Sequence, residues 1–157
     1  MNFLTVGYPI RLINYSGNTF RFERLFEKVW NAVPLEVRHR IITYWTAENH
    51  EVTVELSDLW IDSEENHGQV TGRGNQIRFS EQSIEKMPPE VVEICIVHEI
   101  AHVDQWALTV ASTMTKEERE KDADKKSRAW GFDPCVLTMW EFKQAAKKMP
   151  DASEETV

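Results

Sequence analysis

Two histidines and a glutamate in the second half of the chain have the spacing of a catalytic metal site. His98, Glu99 and His102 form the sequence HEIAH, within a stretch from Glu90 to about Leu108 that contains no helix breaker. Histidines four residues apart on a helix lie on one face, about 6 Å apart along the axis. Two imidazole nitrogens can then each reach one Zn²⁺ at about 2.0–2.1 Å. The spacing therefore predicts a zinc site.

The glutamate of the motif suits the chemistry of water activation. Glu99 projects next to the two histidines, where its carboxylate can reach a water on the metal rather than the metal itself. Zinc lowers the pKa of such a water to roughly 7, and the carboxylate takes its proton as the water attacks a carbonyl. A coincidental pair of buried histidines is the competing interpretation of so short a motif. The apolar helix around it favours the metal site, because a polar face there needs a partner.

The next predicted helix supplies candidates for the third ligand that a catalytic zinc site usually has. Glu120 and Asp124 stand in an ExxAD sequence, four residues apart, and so share one face. We expect Glu120 to bind the metal and Asp124 to accept the second ring N–H of a ligand histidine. Asp124 and Glu117 remain alternatives for the third ligand, because this segment carries as many charges as a solvated helix face would.

The two motifs together resemble a known family. HExxH followed by a helix with ExxAD looks like the gluzincin class of zinc metallopeptidases, and in size it is similar to small minigluzincin-like bacterial or phage members. The resemblance covers about Pro88 to Phe132. It implies a zincin-like fold and a peptide or protein substrate, bound as an added strand along an edge strand above the active-site helix. By position, Gln76 to Ser80 would be that edge strand.

The chain also departs from the pattern of that family. Gluzincins commonly place a tyrosine or histidine after the metal motif to stabilise the oxyanion, whereas every tyrosine and every other histidine here precedes it. Arg119 and Arg128 are among the cationic candidates downstream, and the alternative is that the metal acts alone. Asp104 also stands where an apolar residue is more usual. Two alternatives to a peptidase follow: a zincin-like domain that binds or regulates without cutting, and an α+β interaction domain in which the motif is accidental.

The amino-terminal half predicts helices followed by a small sheet. Apolar residues at helical spacing follow Thr19 and Pro34, and Arg40 is expected on the solvated face of the second helix. Val52 to Leu56 alternates apolar and polar residues like a strand. The turn residues Gly72 to Asn75 predict a hairpin or irregular connection into the next short strand.

The carboxyl-terminal half predicts helices only. Pro88 precedes the helix that carries HEIAH, and Thr115 with Glu118 is a capping-box signal for a helix that ends near Gly131. A last helix is predicted from about Val136 to Lys148. Helices around a small mixed or antiparallel sheet give an α+β fold.

Size and charge limit the classes of partner. With 157 residues the chain is expected to form one domain over residues 1–150, with residues 151–157 as an acidic, flexible tail. A net charge of −8 argues against nucleic acid or an anionic membrane as the main partner. The amino terminus lacks the pattern of a secretory signal, and no segment has the length of a membrane span. We therefore expect a cytoplasmic protein, whose oligomeric state the sequence leaves open.

Overall fold

A computed structural model of the chain describes residues 10–13, 20–47, 51–57, 67–71 and 74–148. Within these ranges the chain forms six α-helices and four strands, which confirms the predicted α+β class. The helices are α1 (Phe20–Ala32), α2 (Leu35–Ala47), α3 (Glu81–Lys86), α4 (Pro89–Ala107), α5 (Lys116–Ala129) and α6 (Cys135–Lys148). The strands are β1 (Ile10–Ile13), β2 (Val52–Leu56), β3 (Gly68–Thr71) and β4 (Gln76–Phe79). Thr19, part of the predicted turn (Gly72 and Arg73) and the tail 151–157 lie outside the described residues.

The four strands form one mixed sheet in the order β1-β2-β4-β3. β1, β2 and β4 run parallel, while β3 is antiparallel to β4 and joined to it as a hairpin, as the turn residues predict. In register, Ile77 of β4 lies between Val54 of β2 and Val70 of β3. Within the described residues, β1 and β3 are therefore the two edges of the sheet.

The prediction that Gln76 to Ser80 is the edge strand is wrong. β4 lies inside the sheet with a partner on each side, and Ile77 and Phe79 are buried in the core. The edge strand that packs against α4 is β3, whose four residues are all only partly buried. The pairing of the hairpin explains why β3 rather than β4 is the edge strand. β4 follows the turn and pairs with β2, so β3, which precedes the turn, pairs with β4 alone.

Helix α4 lies at the centre of the packing and contacts α1, α2, α5, α6 and β3. Pro89 is suited to its first turn, where a backbone N–H would have no helical partner. Val92, Ile96 and Val97 are wholly buried, and each such side chain contributes roughly 1.5–3 kcal/mol. Neither α4 nor any other described helix is long and apolar enough to cross a membrane. Several polar side chains interrupt this apolar helix: His98, Glu99, His102, Asp104 and Gln105.

Arg40 of α2 is not solvated as the sequence predicts. Its guanidinium donates two hydrogen bonds to the carboxylate of Asp104, from Nε at 2.8 Å and from Nη2 at 2.9 Å. Asp104 is wholly buried in α4, and Nζ of Lys126 in α5 approaches its Oδ2 at 3.3 Å. Asp104 therefore connects α2 and α5 to the central helix, and Arg40 and Lys126 give its buried charge two cationic partners.

Candidate metal centre

His98 and His102 of α4 meet Glu120 of α5 at the interface between the two helices. The Nε2 atoms of the two rings lie 3.1 Å apart. Glu120 places Oε2 at 3.0 Å from Nε2 of His98 and Oε1 at 3.2 Å from Nε2 of His102. A tetrahedral zinc ion with ligands at about 2.0–2.2 Å holds its ligand atoms about 3.3 Å apart. These three side chains are thus spaced so that they could hold one metal ion.

Local sequence signals determine where α5 presents Glu120. Oγ1 of Thr115 accepts a hydrogen bond from the Glu118 backbone N–H at 3.1 Å, and Oε1 of Glu118 accepts one from Thr115 at 3.2 Å. This confirms the predicted capping box. Gly131, just past the helix end, has a φ of +95°, a conformation that glycine adopts without strain. With both ends of α5 defined, one face of the helix is set against α4.

The structure separates the three acidic candidates for the third ligand. Glu120 alone of them joins the two histidines within ligand distance. Glu117 is exposed and pairs with Lys121 at 3.0 Å on the outer side of α5. Oδ1 of Asp124 lies 3.6 Å from Nδ1 of His98, slightly beyond hydrogen-bond distance, on the side of the ring away from Glu120.

Glu99 is buried between α4 and the edge strand β3. A Cβ atom built on Gly68 would lie 3.4 Å from Cγ of Glu99, so the strand backbone runs directly past this side chain. Oε2 of Glu99 is buried and has no hydrogen-bond partner among the described residues. Burial raises the pKa of Glu99, which the neighbouring His98 and His102 only partly counteract. A buried carboxylate oxygen without a partner, next to a set of metal-ligand atoms, fits a site completed by an ion and a water.

The charges of the cluster favour an ionised carboxylate between two imidazoles. Burial lowers the pKa values of His98 and His102, but hydrogen bonds to Glu120 and the charge of Glu99 outweigh it, so both values are raised. Hydrogen bonds to the two rings hold the pKa of Glu120 far below its usual range. At neutral pH the cluster therefore presents a carboxylate anion that a divalent cation can bind.

Gln105 is part of the site, although the sequence analysis did not identify it. It is wholly buried, and its Oε1 lies 2.9 Å from Nδ1 of His102. Its Nε2 donates to the backbone oxygen of Arg119 at 2.9 Å and to Oδ2 of Asp122 at 3.0 Å. The position of Gln105 in the sequence could have indicated this contact, because a residue three positions after His102 lies on the same helix face.

The cluster opens into a cleft of about 860 Å³ between β3 on one side and α5 and α6 on the other. His67, which precedes β3, and Glu141 of α6 lie on opposite walls, with Nε2 and Oε2 3.8 Å apart. Arg119, a candidate for oxyanion stabilisation, lines the cleft, but its Nη1 donates to the backbone oxygens of Ala111 and Met114 at 3.3 and 2.7 Å. Arg128, the other candidate, is exposed and does not line the cleft.

Comparisons of this chain with protein-family models, curated proteins and solved structures give no match. A function for the site therefore has to follow from its own geometry and chemistry.

Proposed function

We propose that this protein is a zinc-dependent metallopeptidase with a zincin-like fold. His98, His102 and Glu120 would hold Zn²⁺, and Glu99 would act as the general base. The observation that supports this most strongly is the convergence of three ligand atoms from two helices beside a buried, unpartnered carboxylate oxygen. A purely structural role would leave that carboxylate oxygen without a hydrogen bond, at a cost of roughly 1–3 kcal/mol.

The roles of the side chains follow from their positions. A zinc ion held by His98, His102 and Glu120 would supply Lewis acidity for a peptide carbonyl and for a bound water. Glu99 takes a proton from the attacking water and returns it to the leaving amine. Burial raises the pKa of Glu99, which helps it to keep the proton between these two steps. Asp124 faces the outer nitrogen of His98 at 3.6 Å and could accept its ring N–H after a small shift.

An extended peptide is the substrate that the cleft fits best. β3 forms one wall, and no strand pairs with its outer side within the described residues. A substrate backbone can therefore add next to β3 as a further strand, which would carry its carbonyl past Gly68 towards Glu99. Both cysteines are free thiols, which suits the proposed location in the cytoplasm.

A zincin-like domain that binds peptide without cutting it is the second candidate. The observation that favours it is the hydrogen bonding of Arg119, whose guanidinium already donates to two backbone oxygens. Such a domain would keep the metal and the strand site but would lack a group to stabilise the oxyanion.

Incubation of the zinc-loaded protein with a diverse peptide library, analysed by mass spectrometry, tests the proposal. We expect cleavage by the wild type, and a loss of at least about 100-fold in Glu99→Gln, with zinc retained. Glu117→Gln is the matched control, because Glu117 is an exposed glutamate of α5 outside the cluster, and it should cleave normally. Zinc retention without any cleavage across the library would overturn the peptidase, and peptide binding in that case would support the second candidate.

A further inference from the structure

One buried amide contacts both helices that carry the ligands. Gln105 lies on α4 with its Oε1 at 2.9 Å from Nδ1 of His102. Its Nε2 reaches α5 at the backbone oxygen of Arg119, the residue immediately before Glu120, and at Asp122. The same side chain is therefore adjacent to one ligand histidine and to the backbone that carries the ligand carboxylate.

The hydrogen-bond partners of Gln105 fix which way its amide points. An amide has two N–H donors on nitrogen and only acceptor capacity on oxygen. The backbone oxygen of Arg119 and the carboxylate of Asp122 are both acceptors, so the nitrogen must face α5. The oxygen then faces His102, and it can only accept. Nδ1 of His102 must accordingly carry a hydrogen, so the neutral ring has its lone pair on Nε2, the atom that faces His98 and Glu120.

The position of the amide is itself secured by a series of ion pairs. Lys126 contacts Asp122 at 3.1 Å and Asp104 at 3.3 Å. Asp104 in turn is held by Arg40 of α2. Rotation of Gln105 would separate it from Asp122 and leave its polar atoms without partners in a fully buried position, which is costly.

We propose that Gln105 is a positioning residue of the zinc site: it selects the tautomer of His102 that offers Nε2 to the metal, and it holds α5 where Glu120 completes the ligand set. This inference rests on the proposed zinc site and extends it. His98 has no comparable hydrogen bond at its outer nitrogen. The nearest acceptor there is Asp124, which is partly exposed and lies 3.6 Å from Nδ1. His102 is thus the ligand that is oriented before metal arrives.

Zinc affinity of three variants, measured by competition with a chromophoric chelator, tests the inference. Gln105→Leu removes every hydrogen bond at similar volume, and we expect zinc binding about 10–100-fold weaker. Gln105→Glu keeps an acceptor for Nδ1 of His102 but places a carboxylate oxygen against the two acceptors on α5, so we expect zinc binding to weaken in this variant as well. Glu117→Gln removes an exposed ion pair of α5 without contact to His102 or Gln105, so it should leave the affinity unchanged.

Several outcomes would overturn this role. They are wild-type affinity in Gln105→Leu or in Gln105→Glu, or an equal loss in Glu117→Gln. Should Gln105→Leu fail to fold, nitrogen NMR of the zinc-loaded wild type decides: a protonated Nδ1 of His102 with metal on Nε2 supports the role, and metal on Nδ1 refutes it. A wild type that binds no zinc would instead remove the proposed function itself.

Discussion

The backbone of Gly68 lies directly against the side chain of Glu99. A Cβ atom at position 68 would be 3.4 Å from Cγ of Glu99, and 3.1 Å from both the Arg78 backbone oxygen and Cδ1 of Phe79. The edge strand therefore packs closely against the proposed general base. A side chain at position 68 has to displace one of these neighbours.

Gly68→Ala, which adds a single methyl group, tests the contact between position 68 and Glu99. The added methyl requires shifts of a few tenths of an ångström, so we expect a folded protein with cleavage reduced about tenfold. Gly68→Val should reduce cleavage further, because its branched side chain meets the same three neighbours. The readout is kcat/KM on a peptide found in the library, alongside the thermal midpoint. Full activity in Gly68→Val would show that the contact does not position Glu99.

Gly74 and Gly131 form a natural pair for separating steric clash from backbone strain. Both have positive φ, +85° and +95°. A Cβ at Gly74 would clash with the side chain of Trp106, whereas a Cβ at Gly131 meets nothing within 4 Å. We expect Gly131→Ala to cost about 1–2 kcal/mol from backbone strain alone, and Gly74→Ala to cost about 1–3 kcal/mol more. Urea unfolding measures both values, and equal losses would contradict the close packing of Trp106 on the turn.

The ion pair between Arg40 and Asp104 should contribute measurably to stability. Asp104 is wholly buried, but Arg40 is 34% exposed and Lys126 stays close to the carboxylate. Arg40→Met is therefore expected to cost about 2 kcal/mol, less than the roughly 3–5 kcal/mol of a fully buried pair.

Lys28→Met is the matched control, since Lys28 is 70% exposed in its 2.6 Å pair with Glu93. It should cost less than about 0.5 kcal/mol and lose that effect in high salt. Chemical unfolding at two salt concentrations compares the variants. Similar small losses for both would mean that Asp104 does not depend on Arg40.

The metal-free protein should show the pH signature of its histidine–carboxylate cluster. The pKa of Glu120 is lowered in the folded protein. Its contribution to the free energy of unfolding is therefore complete above its ordinary pKa of 4.5 and is lost as the pH falls through the lowered pKa. The pKa values of His98 and His102 are raised in the folded protein. The stability that these two rings contribute is therefore complete below their ordinary pKa of 6.5 and is lost as the pH rises through the raised pKa values. All three contributions are therefore complete between pH 4.5 and 6.5.

Glu120→Gln in the presence of a chelator tests this window. The difference in unfolding free energy between wild type and variant should be largest between pH 4.5 and 6.5, and should shrink as the pH rises further. A difference that stays constant up to pH 9 would show that the two imidazoles do not share the carboxylate in the folded protein.

Local signals in the sequence carried most of what could be predicted. The capping box at Thr115 and the glycine after α5 each depend on residues close in sequence, and both are found in the structure. The spacing of His98 and His102 likewise needs only helix geometry to place both rings on one face. Glu120 was a rational choice of third ligand because it shares one face of the next helix with Asp124 in the ExxAD sequence.

Features that depend on distant pairing could not be predicted. The identity of the edge strand follows from β4 pairing with β2, which no local pattern specifies. Arg40 appeared solvated because its partner Asp104 lies 64 residues away in sequence. Within the site, Gln105 could not be predicted either. Its proposed role depends on acceptors in α5 that become adjacent to it only after α4 and α5 pack.

The content of metal in protein purified without a histidine tag tests the central claim most directly. We expect one zinc ion per chain in the wild type, none in His102→Ala, and strongly weakened binding in Glu120→Gln. Wild-type protein that takes up no zinc when supplied with it, or that keeps one equivalent after loss of the His102 ring, would contradict a centre formed by these three side chains.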